Sequence, residues 1–312
     1  MADVIATREG FGKALVEFGE TNKDFLVLDA DLADATKTVY FKKAFPERFF
    51  DTGIAEGNMM SVAAGLASCG KTVFASSFAM FAAGRAFEQI RNSICYPKLN
   101  VKIAATHAGL SVGEDGATHQ CLEDIGLMRT LPDMVVMTPS DAVQARWMIK
   151  AALDYQGPMY FRFARLATPV MYDENTNFEI GKGIVLKEGT DVTIVACGLM
   201  VEKALEAAEI LNQQGIYARV IDMHTIKPID RELVLKAAKE TGAIVTVEEH
   251  SVYGGLGSAV AEVVADEYPV PVKIIGTEKF GTSGKPAELF ELYGLSATNI
   301  AEKAKDAIKL KK

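Results

Sequence analysis

The chain is short of the residues from which many functional sites are built. Its 312 residues include four cysteines, four histidines and one tryptophan. Cys69, Cys95, Cys121 and Cys197 are scattered with no CxxC pair, which argues against a cysteine metal site and against a disulfide framework. Buried, reduced thiols are the expectation. Basic residues are outnumbered, 33 against 41 acidic, and a net charge of −8 excludes a general nucleic-acid or anionic-membrane binder while leaving room for a local basic pocket. No apolar run approaches the ~20 residues needed to span a bilayer. The amino-terminal MADVIATREGFGKAL lacks an apolar signal core, so a cytoplasmic protein is expected. Neither a full GxGxxG nor a GxxxxGK[ST] occurs, and no internal repeat or low-complexity tract is present.

What the chain does have is alternation. Short apolar runs at 25–31, 72–77, 101–106, 134–139 and 159–164 read as buried strands. Between them, segments such as GNMMSVAAGLASCG and SDAVQARWMIKAALDY have apolar spacing near 3.6 and read as helices. Ser140 and Asp141 stand where a helix N-cap belongs. A polar connection at 166–184 interrupts the pattern, and a second strand–helix series runs from 192 to 277. The expectation is an α/β protein of two domains, each a mostly parallel sheet flanked by helices. They are placed at 1–170 and 186–312, with a linker at 171–185.

Several stretches could carry chemistry. YGGLGS (253–258), between a strand and a helix, resembles part of a phosphate loop, but tight turning explains its glycines as well. His224 and His250, at predicted strand ends, read as hydrogen-bonded or interface residues. THAGLSVGEDGATHQ (106–120) differs: it opens at a strand end and brings His107, Glu114, Asp115 and His119 into one glycine-rich loop. Open parallel sheets bind ligands at that edge. Its H-x11-H spacing matches no common zinc motif, and no metal ligand is assigned; recognition of a polar substrate with acid/base assistance fits better than a merely solvated loop. Arg165, after the strand at 159–164, and Arg8, ahead of the first helix, have the guanidinium geometry that grips phosphate. Glu56 stands out as a single carboxylate in a small, apolar stretch, where burial is costly without a partner. The residues themselves lead to an α/β enzyme acting on a polar small molecule, phosphorylated ones included.

FDTGIAEGNM, SSFAMFAAGRAFEQIR, THAGLSVGEDGATHQ and FRFARLATP, in this order and spacing, strongly resemble transketolase. The resemblance spans the chain but only the latter half of a typical transketolase, its pyrimidine-binding and C-terminal domains. It implies thiamine diphosphate as cofactor, with Glu56 hydrogen-bonding N1′ of the aminopyrimidine and so activating it. It also implies Phe78 and Phe81 around the pyrimidine, and Asp31 near the cofactor and substrate channel. His107, Asp115 and His119 would meet the substrate at its reacting end, with His107 and His119 handling protons. Arg165 and Arg8 would hold the sugar phosphate. Two departures stand out: Ala35 replaces a common phosphate-site serine, and Ala75 replaces a frequent third aromatic.

The diphosphate-binding domain, with its GDG and later Asn, has no counterpart here; EDG at 114–116 is already accounted for. The resemblance therefore implies the C-terminal subunit of a split transketolase. A separate N-terminal subunit would supply the diphosphate domain and most of the ligands to Mg2+ or Ca2+. A pair of each chain would give a heterotetramer, active only when assembled, transferring a two-carbon ketol unit between sugar phosphates. Alternatives are a 1-deoxyxylulose-5-phosphate synthase-like enzyme, a 2-oxo acid dehydrogenase beta-like subunit, or a non-catalytic scaffold subunit.

Overall fold

A computed structural model describes residues 3–311. The first half supplies β1 (Val4–Ala6), β2 (Phe25–Asp29), β3 (Phe49–Asp51), β4 (Thr72–Phe78), β5 (Val101–Thr106), β6 (Val135–Met137), β7 (Met159–Phe163) and β8 (Ala167–Pro169). The second half supplies β9 (Ile184–Lys187), β10 (Val192–Ala196), β11 (Ala218–Asp222), β12 (Thr225–Lys227), β13 (Ile244–Ser251) and β14 (Val272–Thr277). Two mixed sheets result, seven strands in the order β12-β6-β7-β5-β4-β2-β3 and five in the order β14-β13-β10-β11-β9. All pairs within them are parallel except β12 with β6 and β9 with β11. β1 and β8 form a separate antiparallel pair.

The period of two along each strand decides which layer it meets. On one face of the first sheet, Val73, Ala75, Ile103 and Ala105 are small enough for the helix Glu56–Ser68 to pack closely through Met59, Met60 and Ala63. On the other face, Phe74, Phe161 and Phe163 join Phe11, Phe25 and Phe41 beneath the helices Thr7–Thr21 and Ala142–Asp154. Phe11 stacks on Phe163 at 4.7 Å, and each such buried ring contributes about 2 kcal/mol through loss of apolar surface from water.

Local chemistry sets the boundaries. Asp141 caps the helix Ala142–Asp154 by accepting from the Gln144 N–H at 2.8 Å, as its sequence position suggested. β2 ends at Asp29, two residues earlier than the apolar run implied, because the Asp29 carboxylate accepts from the Leu32 N–H at 2.7 Å and turns the chain. Cys69 corrects the expectation of four buried thiols: it sits at the C-cap of Glu56–Ser68 and is exposed, while Cys95, Cys121 and Cys197 are buried and all four are free. No helix among the described residues is long and apolar enough to cross a membrane.

The halves are tightly joined. β12, from the second half, extends the first sheet, and one continuous apolar core includes Ile125 and Met128 from the first half with Val195, Ile221 and Leu256 from the second. At the carboxyl end of β11, Asp222 accepts from Tyr172 Oη at 2.6 Å, Ser140 Oγ at 2.9 Å and Gln144 Nε2 at 3.0 Å. Burial pushes its pKa up to about 6.

Candidate active site

Loops following β2, β4, β5 and β7, neighbours in the first sheet, meet at its carboxyl edge. β4 runs directly into a wide π turn, Met80–Arg85, which places Phe81 parallel to Phe78 with centroids 6.1 Å apart. At the end of β5, His107 adopts a left-handed backbone (φ 53°) that breaks the strand and lays its ring on Phe78 at 3.9 Å. His119 meets Phe81 edge-on at 5.4 Å and Phe78 at 6.4 Å. Four rings thereby form one wall.

Arg8 lies in the first turn of Thr7–Thr21, not ahead of it as the sequence suggested. Its Nη1 donates to the Ala35 carbonyl at 2.7 Å and to His107 Nε2 at 3.1 Å. A guanidinium only donates, so Nε2 accepts and the imidazole proton resides on Nδ1, directed at Thr106 Oγ1 2.8 Å away. Burial, with the charges of Arg8, Arg165 and Lys37 behind it, drives the His107 pKa down to about 3. The ring is neutral at physiological pH. Burial also lowers the Arg8 pKa, and the Arg165 charge adds to this. Such mutual repulsion is relieved when an anion enters.

Arg165 Nη1 donates to the Val112 carbonyl at 2.7 Å and stands 3.5 Å from Asp115 Oδ2. These two side chains are 38% and 39% exposed, so they lie where a soluble ligand can reach them. Lys37, which the sequence reading passed over, pairs with Glu9 at 3.1 Å.

Glu56 is the first residue of Glu56–Ser68 and only 1% exposed. Its Oε2 accepts from Arg85 Nη1 at 2.7 Å, and the Arg85 guanidinium covers Phe81 at 4.6 Å. The positive end of the helix adds to this stabilisation. Arg85 therefore answers the question of what meets the buried carboxylate within this chain. Sequence gave no signal for it, because the partners are 29 residues apart and joined through the π turn.

Asp31 shares the edge but not the cluster. It is exposed, with φ 62°, and its N–H donates to Asp51 Oδ1 at 3.1 Å. The buried carboxylate of this loop is Asp29, which also accepts from Thr36 and Thr38 hydroxyls at 2.7 and 2.8 Å and is raised to about 6 by burial. That network shapes the turn that delivers the Ala35 carbonyl to Arg8.

The second domain offers no equivalent opening at YGGLGS. The N-terminus of Leu256–Glu267 already holds the buried Glu248 carboxylate, which accepts from the Leu256 and Gly257 N–H groups at 2.7 and 2.8 Å. A Cβ on Gly255 would lie 2.0 Å from Glu248 Oε2, so these glycines make room for a side chain of the protein itself. His250 accepts from the Gly126 N–H at 3.2 Å and His224 pairs with Thr225 at 3.0 Å; both are buried structural residues. Among the described residues, no group of three His, Cys, Asp or Glu side chains could hold a metal ion.

An aromatic wall, a neutral histidine held by an arginine and a buried glutamate thus come together at a parallel-sheet edge, an arrangement chemically able to take a flat ring beside an anion. Family models for "Transketolase, pyrimidine binding domain" and "Transketolase, C-terminal domain" match residues 3–171 and 181–300. The chain belongs to the transketolase family. It is 50% identical over 306 residues to a protein of Methanocaldococcus jannaschii described as a transketolase C-terminal section, covering 97% of this chain and 96% of that one. Human transketolase is 38% identical over 99% of the chain, which spans only 50% of that longer protein. A solved structure described as a split gene transketolase, an inactive beta4 tetramer, superposes with a TM-score of 0.93 at 58% identity and covers 99% of this chain and 100% of that one.

Proposed function

We propose that this protein is the C-terminal subunit of a thiamine diphosphate-dependent transketolase. Joined to a separate chain carrying the diphosphate-binding domain, it transfers a two-carbon ketol unit between ketose and aldose phosphates. The observation that carries the reading is the buried Glu56 beside the Phe78–Phe81 pair, since a carboxylate and stacked rings are what an aminopyrimidine requires. The residues present fit that half of the cofactor. When bound, thiamine diphosphate supplies the carbanion chemistry. Glu56 is the residue to hold and share a proton at the pyrimidine nitrogen, and Phe78 and Phe81 flank the ring and exclude water.

His107, His119 and Asp115 face the hydroxyl and carbonyl groups of the sugar. His107 is held neutral, and with its pKa driven down to about 3 and its Nε2 lone pair taken by Arg8 it is a weak base, so its part in handling protons is to hydrogen-bond a sugar oxygen as a neutral ring. Arg8 and Arg165 bind the phosphate, with Asp31 at the channel side. The division into domains at 1–170 and 186–312, with a linker at 171–185, belongs to this reading, as does a heterotetramer in which the partner provides most ligands to Mg2+ or Ca2+. A cytoplasmic location and a role in pentose phosphate metabolism are part of the same proposal. Support for a separate partner comes from relatives that this chain covers end to end.

The complex recovered by affinity purification of the tagged chain provides the test. Ketol transfer between sugar phosphates, with no decarboxylation of pyruvate, is the expected result. Pyruvate decarboxylation alone would assign a 2-oxo acid dehydrogenase or deoxyxylulose phosphate synthase type of reaction. A complete, cofactor-loaded but inert complex would make the chain a scaffold.

A further inference from the structure

The loop that carries Asp115 is held from below by the second domain. Its turn, Leu110–Asp115, lies on the carboxyl end of β13, where Glu249 is 4% exposed. The Glu249 carboxylate accepts from the Ser111 N–H through Oε1 and from Ser111 Oγ at 3.1 Å through Oε2. Gly109, with φ 82°, passes so close that a Cβ there would lie 2.4 Å from the Glu249 carboxyl carbon. The glutamate is itself fixed, since Arg162 Nη2 donates to its carbonyl at 2.8 Å while Arg162 Nε is paired with Asp124 at 2.8 Å. The far end of the turn is tied to the same domain: Ser283 Oγ donates to the Glu114 carbonyl at 2.6 Å, and Gln120 Nε2 links the Gly113 and Thr282 carbonyls at 3.1 and 2.9 Å.

We infer that Glu249 is a positioning residue for the substrate loop: through Ser111 it sets the turn on which Asp115 stands and whose Val112 carbonyl orients Arg165. A carboxylate suits this task because both oxygens accept, meeting the two donors of one residue at once. Both oxygens are taken up by Ser111 and the side chain is buried, so Glu249 acts through the loop. The second domain thereby gains a role in the site of the first. The catalytic consequence rests on the ketol-transfer reading, whereas the clamp does not.

Amide exchange in the full chain tests the clamp, and kinetics in the complex with the diphosphate-binding subunit test its consequence. In E249Q, exchange at 110–116 should quicken about tenfold, the scale of losing one buried hydrogen bond, while β4 and β5 stay protected. S111A should reproduce part of this, and the double variant should be no worse than E249Q. In the complex, E249Q should raise KM for the ketose phosphate about tenfold, with a smaller change in kcat and unchanged thiamine diphosphate affinity. Unaltered loop exchange in E249Q would overturn the inference, as would effects of E249Q and S111A that simply add. Should E249Q not fold, S111A decides alone: quicker loop exchange supports the clamp and unchanged exchange overturns it. A wild-type complex without ketol transfer would refute the functional reading, and the exchange result would still decide the clamp.

Discussion

The two mostly parallel sheets of this protein use the same edge in opposite ways. Around the carboxyl ends of β2, β4, β5 and β7, the loops leave Arg165 and Asp115 more than a third exposed and set three cationic side chains around one neutral imidazole. Around the carboxyl ends of β11 and β13, Asp222, Glu248, Glu249 and His250 are all buried, and each accepts from protein donors, Asp222 through Oδ2 alone. One edge is left with its hydrogen-bonding capacity turned outward; the other spends it on the neighbouring domain. A strand end thus reads as a site where buried groups such as Glu56 and His107 stand beside accessible ones such as Arg165 and Asp115, and as structure where every polar group is enclosed.

The contrast is broken most severely by removing the central residue of the open edge. Glu56→Gln should lower ketol transfer of the assembled enzyme by roughly a thousandfold, the scale of a lost proton-transferring group. Its melting temperature should barely move. A variant retaining near-normal turnover would remove Glu56 from the chemistry. On the sealed edge the effect should fall on stability instead. Asp222→Ala leaves Ser140, Gln144 and Tyr172 without their shared acceptor and should cost about 3 kcal/mol in urea unfolding, with turnover per folded molecule preserved. Loss of turnover in the folded fraction would make this edge catalytic after all.

Smaller effects sharpen the contrast. Arg165→Ala should raise KM for a phosphorylated sugar about thirtyfold, equivalent to roughly 2 kcal/mol, and leave an unphosphorylated substrate nearly unaffected. Equal losses on both substrates would place the arginine elsewhere in the reaction. The pH dependence of the sealed edge follows from Asp222, whose folded pKa of about 6 lies above the ordinary aspartate value. Its contribution is fully present below the unfolded pKa and is lost as pH rises through about 6. Wild type should therefore lose stability relative to Asp222→Asn between about pH 4 and pH 7, by on the order of 2–3 kcal/mol. A difference that moves the other way would contradict the buried, proton-favouring environment.

Much of this was legible before any coordinates. Runs of apolar residues located β4, β5, β7, β10, β11 and β13, and their alternation with helical spacing implied parallel sheets. His107, His119, Phe78 and Phe81 meet in one wall; the histidines are marked by their place in a glycine-rich loop at a strand end, whereas the phenylalanines are marked only by the resemblance, since the π turn that sets Phe81 beside Phe78 has no spacing signature. Long-range pairings were not legible. β12 is a three-residue strand with no period of its own, and joins the first sheet only because the second domain presses it against β6. Arg85, Lys37 and Glu249 owe their places to partners distant in sequence, which no spacing rule encodes. Asp31, placed by the resemblance alone, follows β2 with its N–H on Asp51, outside the aromatic cluster.

The central claim is that the open edge is half of a cofactor site completed by another chain. Reconstitution tests it most directly: the purified chain is titrated with the diphosphate-binding subunit in the presence of thiamine diphosphate and magnesium, and ketol transfer is followed. The account predicts no activity from either chain alone and a rise that saturates at one subunit of each kind. Full activity from this chain alone, or a stoichiometric, cofactor-loaded complex that transfers nothing, would contradict it.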